Sequence, residues 1–422
     1  MDKILIRGGN SLRGEVIISG SKNSTLPILF ATLLTDEPTV ITNIPSLDDV
    51  DTTVLFLNFM GKKAVKKGNI IEVYCSDNYD KEYKHVALHK LVRKMRASIL
   101  IIGPLLARLR RIGVPLPGGC AIGARPVDIH LEAFRKLGAE ISIEDGCVRT
   151  FAGNRLKGAP VNFRFPSVGA TENILLTAVL AEGKTTIINA ACEPEIEDLA
   201  FVLNKMGAKI TGAGTKKIVV EGVDKLHGFE HEVIPDRIEA ATYMIAAAIT
   251  KGEVTLKKVI PHHLKSVNDK LRKSGLYIKE SKNAIYAKWV KNLKPQSIKT
   301  EVYPGFPTDV QAQWTTLMCL VDGRSRIEEN IFENRFSHIT QLQKFGADIS
   351  VNGKIVNIKG VERFSGSAVT VSDLRAGAAL ILAGLAARGP TTVSKIYHLD
   401  RGYDMLERKL KKLGADIIRV HG

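Results

Sequence analysis

The chain has 422 residues, 45% hydrophobic and 25% charged, which is enough for two or three domains with sizeable cores. No apolar run approaches the roughly 20 residues that span a bilayer, and the N-terminus lacks a signal-peptide layout, so we expect a cytoplasmic protein. Sixty Lys and Arg against 44 Asp and Glu give a net charge of +16, which favours anionic partners: nucleic acid, membrane surfaces or phosphorylated metabolites.

The cysteines argue against a disulfide framework or a structural zinc site. There are five of them, an odd number, and they are scattered without a CxxC pair. The adjacent His262 and His263 have no acidic partner at ligand spacing. We therefore expect free thiols, no metal and no cofactor.

A short sequence tag recurs six times along the chain. Its glycines are Gly61, Gly138, Gly207, Gly275, Gly346 and Gly414. They are 77, 69, 68, 71 and 68 residues apart. Each follows an amphipathic stretch and precedes β-branched residues, a pattern that predicts a helix closed by Gly at C′ and then a strand.

A second, largely apolar element recurs on the same period. It occupies residues 22–41, 96–116, 169–188, 237–256, 309–327 and 375–393. Each stretch begins with polar residues, continues as an apolar helix and turns into a strand. The predicted turns are at Asp36, Gly113, Gly183, Gly252, Gly323 and Gly389. Helices this apolar are buried, so the sequence predicts six repeats with helices inside and sheet around them, divided into two domains of three.

The polar residues in front of these apolar helices predict an anion-binding cleft. They are Lys22 and Asn23, Arg93 and Arg96, Ser167 to Gly169, Asp236 and Arg237, Asp309, and Asp373 with Arg375. Helix N-termini attract phosphate and carboxylate groups. Asp and Ser at such positions are also ordinary N-caps. Lys22, Arg96 and Arg375 are different, because cations oppose the helix dipole and need an anionic partner.

One loop has the composition of a mobile functional segment. Residues 116–128 contain three glycines and two prolines around Cys120. Arg125, five residues further on, would favour the thiolate of Cys120 and bind a carboxylate. We therefore interpret Cys120 as a functional cysteine.

Ten segments, in consistent order along the chain, resemble the UDP-N-acetylglucosamine 1-carboxyvinyltransferases of the enolpyruvyl transferase family. They are SGSKN (19–23), MRAS (95–98), PGGCAIGARPVDIH (117–130), SVGATEN (167–173), EPEI (193–196), PDRIE (235–239), PTDVQAQ (307–313), FENR (332–335), DLRA (373–376) and DRGY (400–403). The cysteine loop is the most specific of these.

The resemblance implies an α/β fold in which two domains are each an inside-out α/β barrel of three βαβαββ repeats. One domain would span residues 22–234 and carry the Cys120 loop. The other would combine residues 1–21 with 235–422, and the active site would lie in the interdomain cleft.

The resemblance also implies an activity. Such enzymes transfer the enolpyruvyl (1-carboxyvinyl) group of phosphoenolpyruvate to the 3-hydroxyl of UDP-N-acetylglucosamine and release phosphate. This is the first committed step of peptidoglycan biosynthesis, which serves the cell wall, cell shape and cell division. Among the catalytic residues, Cys120 would be the general acid. Asp309 would be the base, with a pKa raised by burial.

Lys22, Arg125 and Arg401 would grip phosphoenolpyruvate, assisted by Arg96. Asp373 and Arg375 would support closure and the departing phosphate. The positions implied in binding the sugar nucleotide are Asn23, Pro126, Val127, Asp128, His130, Ser167, Val168, Gly169, Asp309, Ile331 and Phe332.

The chain departs from some relatives at two positions. Asp48 and Phe165 stand where those relatives have lysine, so only a secondary contact with the diphosphate depends on them. Relatives with Asp in place of Cys120 resist fosfomycin, and we therefore expect this chain to be sensitive.

Three alternatives stay open at this point. An enzyme like 5-enolpyruvylshikimate-3-phosphate synthase would share the fold but lacks the Gly-Gly-Cys loop. RNA 3′-terminal phosphate cyclase shares part of the repeat architecture but uses a nucleotidylated histidine, for which no motif is present. A non-catalytic repeat protein that binds nucleic acid would interleave basic and aromatic residues, and aromatics are only 6%. We expect small-molecule partners, no nucleic acid, no membrane insertion and a monomer.

Overall fold

A computed structural model describes residues 2–75, 96–115 and 127–422, without the side chains of Arg96 and Ala97. Its α-helices within these ranges are Lys22–Ala31, Asp48–Phe59, Ile102–Leu109, Asp128–Lys136, Val168–Ala178, Pro194–Lys205, Arg237–Ile249, Lys265–Ser274, Gln311–Met318, Ile339–Lys344, Leu374–Ala386 and Leu406–Lys412. Short 3-10 turns occupy Thr32–Leu34, Arg96–Ile101, Pro261–Leu264, Thr308–Val310 and Ile396–His398. No helix in the described ranges is both long and apolar enough to cross a bilayer.

The chain divides into two compact units. The central unit consists of the described residues from Gly20 to Ile234, and the terminal unit combines the residues up to Ser19 with Pro235–Gly422. The first limit falls between Ser19 and Gly20, two residues before the expected one. Each unit has its own apolar core.

The sheets of the central unit, in spatial order of their strands, are three. They are Glu230–Glu232, Thr39–Thr42, Ile70–Cys75 and Lys62–Lys67; Arg111–Pro115, Cys147–Phe151 and Glu140–Glu144; and Lys209–Thr211, Lys217–Glu221, Lys184–Ile188 and Pro160–Asn162. Each four-stranded sheet has one parallel edge pair, and its other pairs are antiparallel. Ile187, for example, pairs in parallel with Val161 and antiparallel with Ile218.

The terminal unit repeats this arrangement. Its sheets are Tyr277–Glu280, Ala284–Lys288, Glu253–Lys257 and Arg13–Ile17; Ile298–Lys299, Arg324–Glu328, Ile355–Lys359 and Asp348–Asn352; Ala368–Thr370, Pro390–Ser394, Lys3–Arg7 and Asp416–Val420; and the short pair Phe364–Ser365 with Ala387–Arg388. In the third of these, the N-terminal strand Lys3–Arg7 lies between two strands from the C-terminal part of the chain. The first and last segments of the sequence therefore share one sheet.

The apolar helices lie inside each unit, as predicted. Every residue of Arg237–Ile249 after its first is buried. In the terminal unit this helix packs against Gln311–Met318 and Leu374–Ala386. The strands around them alternate buried and exposed residues, as in Lys3–Arg7, so each sheet turns one face to the core and the other to solvent. Each unit is thus an inside-out α/β barrel.

The six tag glycines end helices, which confirms the predicted C′ role. All six have positive φ, between 82° at Gly61 and 106° at Gly275, a conformation that glycine adopts without strain. One predicted turn was wrong. Gly113 lies inside the strand Arg111–Pro115, and the turn before it is made by Arg110 with φ 58°. The helix Ile102–Leu109 ends earlier than its apolar pattern does, because the strand that follows is apolar too.

Candidate active site

The Asp309 carboxylate lies between two buried guanidinium groups. Its Oδ1 is 2.8 Å from Nη2 of Arg335, and its Oδ2 is 2.8 Å from Nη2 of Arg375. The arginine side chains are 3% and 2% exposed, whereas Asp309 is 25% exposed. Two charge-assisted hydrogen bonds therefore stabilise the charge of the carboxylate and fix its orientation, while part of it stays accessible to a substrate.

Arg375 has donor capacity beyond its bond to Asp309. Its guanidinium carbon lies 5.4 Å from the centre of the Tyr403 ring. Burial acts to lower the pKa of Arg375, but the Asp309 carboxylate outweighs it and the net pKa is raised, so the group stays charged. Its Nε and Nη1 atoms have no hydrogen-bond acceptor within the described residues. Buried donors of this kind fit an anionic ligand.

Asp373 caps the helix that begins beside Arg375. Its Oδ1 accepts hydrogen bonds from the backbone N–H groups of Arg375 and Ala376, at 2.9 and 3.0 Å. Burial acts to raise the pKa of Asp373, but Arg335 and these bonds lower it overall. Burial also lowers the pKa of the neighbouring His338 to about 4, so that imidazole is neutral at pH 7.

Arg401 is half-buried and lies in the turn that follows the Ile396–His398 segment. The pKa of His398 is lowered by burial first and by the charge of Arg401 next, while Asp373 opposes both. Arg401 and Asp373 are therefore both within electrostatic reach of His398.

In the central unit, Lys22 begins the buried helix Lys22–Ala31. Its Nζ lies 2.6 Å from Oδ2 of Asp49, and the two side chains are 10% and 5% exposed. The anionic partner that a cation at a helix start needs is thus supplied by a neighbouring helix. The N-cap Ser21 makes no side-chain capping bond, so capping does not occupy the first N–H groups of this helix. Asn23 is half-buried in the same turn.

His130 is held in one neutral tautomer by Asn173. The Asn173 Oδ1 accepts from the Gly103 N–H at 3.0 Å, so its Nδ2 is the donor to the Ile99 carbonyl at 3.1 Å. The same Nδ2 lies 2.9 Å from Nδ1 of His130. Nδ1 therefore accepts, and the ring proton resides on Nε2. A Cβ added to Gly169 would lie 3.2 Å from Cε1 of His130, which places this edge of the ring beside the next helix start.

That helix start has the geometry of an anion site. Ser167 is the N-cap of Val168–Ala178, and its hydroxyl accepts from the Ala170 N–H at 3.3 Å. The preceding N–H groups, those of Val168 and Gly169, have no carbonyl acceptor within the helix. Together with the Nε2–H of His130 they offer donors to a phosphate or a carbonyl oxygen.

Val127 and Asp128 begin the helix that carries His130. Val127 is its N-cap and packs against the apolar core. Burial acts to raise the pKa of Asp128, but its hydrogen bond with Arg164 and the Ile129 N–H lower it overall. Asp128 is thus an exposed, ionised side chain with a protein partner.

The expected site residues divide between the two units. The terminal unit contains Asp309, Ile331, Phe332, Asp373, Arg375 and Arg401, and the central unit contains Lys22, Asn23, Val127, Asp128, His130, Ser167, Val168 and Gly169. Cys120, Arg125 and Pro126 lie outside the described residues, as does the side chain of Arg96. Within one unit, the structure brings together Asp309 with Arg375, and His130 with Gly169.

Sequence reasoning gave no role to three residues that the structure places in these clusters. Arg335 and Asn173 are each the last residue of a motif that resembles the family, and their place in those motifs was the available signal. Asp49 carried no signal, because its partner Lys22 is 27 positions away and the pairing depends on the packing of two helices.

Comparisons with known proteins agree with this architecture. Residues 6–410 match the family described as EPSP synthase (3-phosphoshikimate 1-carboxyvinyltransferase). The chain is 74% identical to the UDP-N-acetylglucosamine 1-carboxyvinyltransferase of Endomicrobium trichonymphae, and 50% identical to that of Geotalea uraniireducens (strain Rf4). Both matches cover all of each chain.

Solved structures agree as well. The enolpyruvyl transferase NikO from Streptomyces tendae superposes with a TM-score of 0.89 at 26% identity, over 100% of this chain and 99% of its own. The EPSP synthase from Acinetobacter baumannii gives 0.75 at 19% identity over the whole of both chains, a likeness in fold alone.

The fold is therefore that of the enolpyruvyl transferases. Among these enzymes, the chain belongs to the UDP-N-acetylglucosamine 1-carboxyvinyltransferase family, as its full-length identity to the curated members shows. This confirms the resemblance drawn from the ten segments. It also excludes a non-catalytic nucleic-acid-binding protein.

Proposed function

We propose that this chain transfers the enolpyruvyl group of phosphoenolpyruvate to the 3-hydroxyl of UDP-N-acetylglucosamine and releases phosphate. The observation that carries the proposal is the 74% full-length identity to an enzyme named for this reaction. The accessible carboxylate of Asp309, held by two buried arginines, supplies the base that the reaction needs.

In the addition step, Asp309 accepts the proton of the sugar 3-hydroxyl. The oxygen then forms a bond to C2 of phosphoenolpyruvate, and Cys120 delivers a proton to C3. The fixed orientation of Asp309 supports this role, because a general base must lie within hydrogen-bond reach of the proton that it removes. The product is a tetrahedral intermediate with a methyl group at C3.

In the elimination step, C3 loses a proton and the bond from C2 to the phosphate oxygen breaks. The enolpyruvyl ether and inorganic phosphate result. Negative charge develops on the leaving phosphate, so positioned cations stabilise this step. Lys22, Arg125 and Arg401 are assigned to it with Arg96, and the unpartnered Nε and Nη1 of Arg375 add two buried donors.

The central unit supplies the groups assigned to the nucleotide. The Val168 and Gly169 N–H groups and the Nε2–H of His130 are donors suited to the diphosphate and to a uracil carbonyl. Asp128 would accept from the uracil N–H, and Val127 and Pro126 would pack on the base. Ile331 and Phe332 would contact the nucleotide from the terminal unit, so both units would act on the same substrates.

The cellular role follows from the reaction. We place the enzyme in the cytoplasm as a monomer at the first committed step of peptidoglycan biosynthesis, where it supports cell shape and division. A small-molecule reaction of this kind requires no nucleic acid and no membrane insertion. Alkylation of Cys120 would make the enzyme a target of fosfomycin.

Phosphate release from phosphoenolpyruvate tests the proposal, with UDP-N-acetylglucosamine, with shikimate 3-phosphate and without an acceptor. We expect release only with the sugar nucleotide, loss of release after fosfomycin, and strong impairment in Cys120→Ser. Cys147→Ser, at a half-buried cysteine, is the matched control and should keep its activity. Mass spectrometry should place one fosfomycin adduct on Cys120 and none on the exposed Cys75.

A second candidate is the transfer of the same group to shikimate 3-phosphate. The description of the matching family, EPSP synthase, favours it. Release with shikimate 3-phosphate but not with the sugar nucleotide would establish this candidate and leave the fold assignment unchanged.

A further inference from the structure

Glu329 is a buried carboxylate that directly follows the strand Arg324–Glu328. It is 2% exposed. Within the described residues, no Lys, Arg or His forms an ion pair with it. A buried charge is costly unless hydrogen bonds satisfy it, so the donors that surround Glu329 decide what it does.

One oxygen of Glu329 holds the loop that contains Ile331 and Phe332. Its Oε1 accepts the N–H groups of Ile331 at 2.9 Å and Phe332 at 3.1 Å, and the hydroxyl of Thr300 at 2.9 Å. The Thr300 hydroxyl in turn accepts the N–H of Asn330 at 2.9 Å. The backbone of three consecutive loop residues is thus fixed around this carboxylate.

The other oxygen of Glu329 holds the turn that carries Asp309. Its Oε2 accepts the hydroxyl of Thr308 at 3.0 Å, and Thr308 is the residue directly before Asp309 in the turn Thr308–Val310. One rigid carboxylate group therefore joins the turn of the catalytic base to the nucleotide loop. The two segments are otherwise 22 positions apart in the sequence.

Arg335 makes a second connection between the same two segments. It donates to Asp309 and its guanidinium carbon lies 5.5 Å from the centre of the Phe332 ring. Arg335 is linked to the base by its side chain, whereas Glu329 is linked to the backbone on both sides. The combination fixes both the position and the orientation of Asp309 relative to the loop.

We propose that Glu329 is a positioning residue that holds Asp309 and the Ile331–Phe332 loop at a fixed separation, so that a nucleotide bound by the loop presents its sugar hydroxyl to the base. This inference rests on the proposed function. A displacement of about 1 Å between reacting groups costs as much as a hundredfold in rate. The contacts of the two oxygens therefore have different consequences: those of Oε2 affect kcat, and those of Oε1 affect the KM of the sugar nucleotide.

Thr308→Val tests the connection to the base, because it keeps the shape of the side chain and removes only the hydroxyl. We expect kcat to fall by at least about tenfold, with the KM and the Kd for UDP-N-acetylglucosamine within about threefold of the wild type. Thr308→Ser keeps the hydroxyl and should restore most of kcat. Glu329→Gln should lower kcat and raise KM together.

Thr250→Val is the matched control. Thr250 is also buried, and its hydroxyl bonds only to the scaffold, at Ala246 and Leu12. It should lose stability in thermal unfolding without a change in kcat. Steady-state phosphate release gives kcat and KM, and calorimetry gives Kd.

The possible outcomes separate the two proposals. Equal kcat values for Thr308→Val and Thr250→Val, or no recovery in Thr308→Ser, would overturn the role of Glu329 and leave the proposed function in place. If Thr308→Val fails to fold, Glu329→Gln with unchanged kcat and KM has the same meaning. If the wild type releases no phosphate with the sugar nucleotide, both proposals fail.

Discussion

The two units use the same repeat, but they treat the N-termini of their buried helices in opposite ways. In the terminal unit, carboxylates close the helix starts. Asp236 accepts the N–H groups of Ile238 and Glu239, and Asp373 accepts those of Arg375 and Ala376. The donors that would attract an anion are thus already occupied.

In the central unit the helix starts stay open. The N-cap Ser21 makes no capping bond, and Ser167 accepts only from Ala170. The difference assigns two kinds of chemistry to one architecture. Open starts bind the anionic groups of a substrate, whereas closed starts stabilise buried arginines and the base that those arginines hold. Substitutions in the terminal unit should therefore affect kcat or stability, and those in the central unit should affect binding.

The largest expected effect is that of Asp309→Asn. The amide cannot accept the proton of the sugar hydroxyl, and the loss of a general base costs about 10²–10⁴-fold. We expect kcat for phosphate release to fall within that range while the Kd for the sugar nucleotide changes much less. Asp322→Asn, at an exposed carboxylate of the same unit, is the control. A kcat within about threefold of the wild type would refute the assignment of Asp309 as the base.

The second prediction concerns Glu239, a further carboxylate at a closed helix start. Burial raises its pKa to about 7, while Lys409 and the Ser19 N–H act to lower it and Asp236 to raise it. Because the folded pKa is above the unfolded value near 4.5, the folded state binds more protons between these pH values. This contribution to stability is complete below pH 4.5 and is lost as the pH rises to 7.

Urea unfolding at pH 5 and pH 7.5 measures this loss. We expect the wild type to lose roughly 2 kcal/mol more than Glu239→Gln between the two pH values. Glu362→Gln, at an exposed glutamate, should follow the wild type. Parallel curves for all three proteins would mean that Glu239 is ionised throughout.

The third prediction tests the open start at Gly169. In Gly169→Ala, the new Cβ would lie 3.2 Å from His130 Cε1, so the ring must shift by a few tenths of an ångström. The methyl group also narrows the approach to the N–H groups of the first turn. We expect the KM for UDP-N-acetylglucosamine to rise about tenfold, the lower range for a lost charge-assisted contact, with kcat within about twofold.

Gly353→Ala would be a poor control for Gly169→Ala, because its φ of 56° adds backbone strain. Gly153 has ordinary φ and an open surrounding, with only one side-chain atom 3.9 Å from its virtual Cβ, so Gly153→Ala is the better match. A fall in kcat instead of a rise in KM would contradict the division between the units.

The smallest expected effect is that of opening a closed start. Asp236→Ala removes two capping bonds of 2.7 and 2.9 Å and should lower the free energy of unfolding by about 1 kcal/mol. Ser21→Ala, at an N-cap without a side-chain bond, should have a smaller effect. Equal losses in denaturant titrations would show that the caps do not distinguish the units.

The fold was predictable because its signals are local and repeated. The tag glycines mark helix ends by their need for positive φ, and the apolar stretches mark helices too hydrophobic for a surface. The boundary at Arg110 was not predictable, since an apolar helix runs directly into an apolar strand and residue type does not separate them.

The site was only partly predictable. Motifs located Asp309 and Arg375, but their contact joins residues 66 positions apart and depends on how two helices pack. The tautomer of His130 likewise depends on Asn173, whose amide is oriented by Gly103. Sequence identifies which side chains are present, whereas their protonation and pairing follow from three-dimensional packing.

The sheet that contains Lys3–Arg7 has a consequence for biosynthesis. This strand leaves the ribosome first, yet both of its neighbours, Pro390–Ser394 and Asp416–Val420, are synthesised last. Every strand of the central unit, by contrast, is available once residue 232 has been made. The central unit can therefore fold during translation, while the N-terminal strand waits through almost the whole of synthesis and pairs only when the chain is nearly complete.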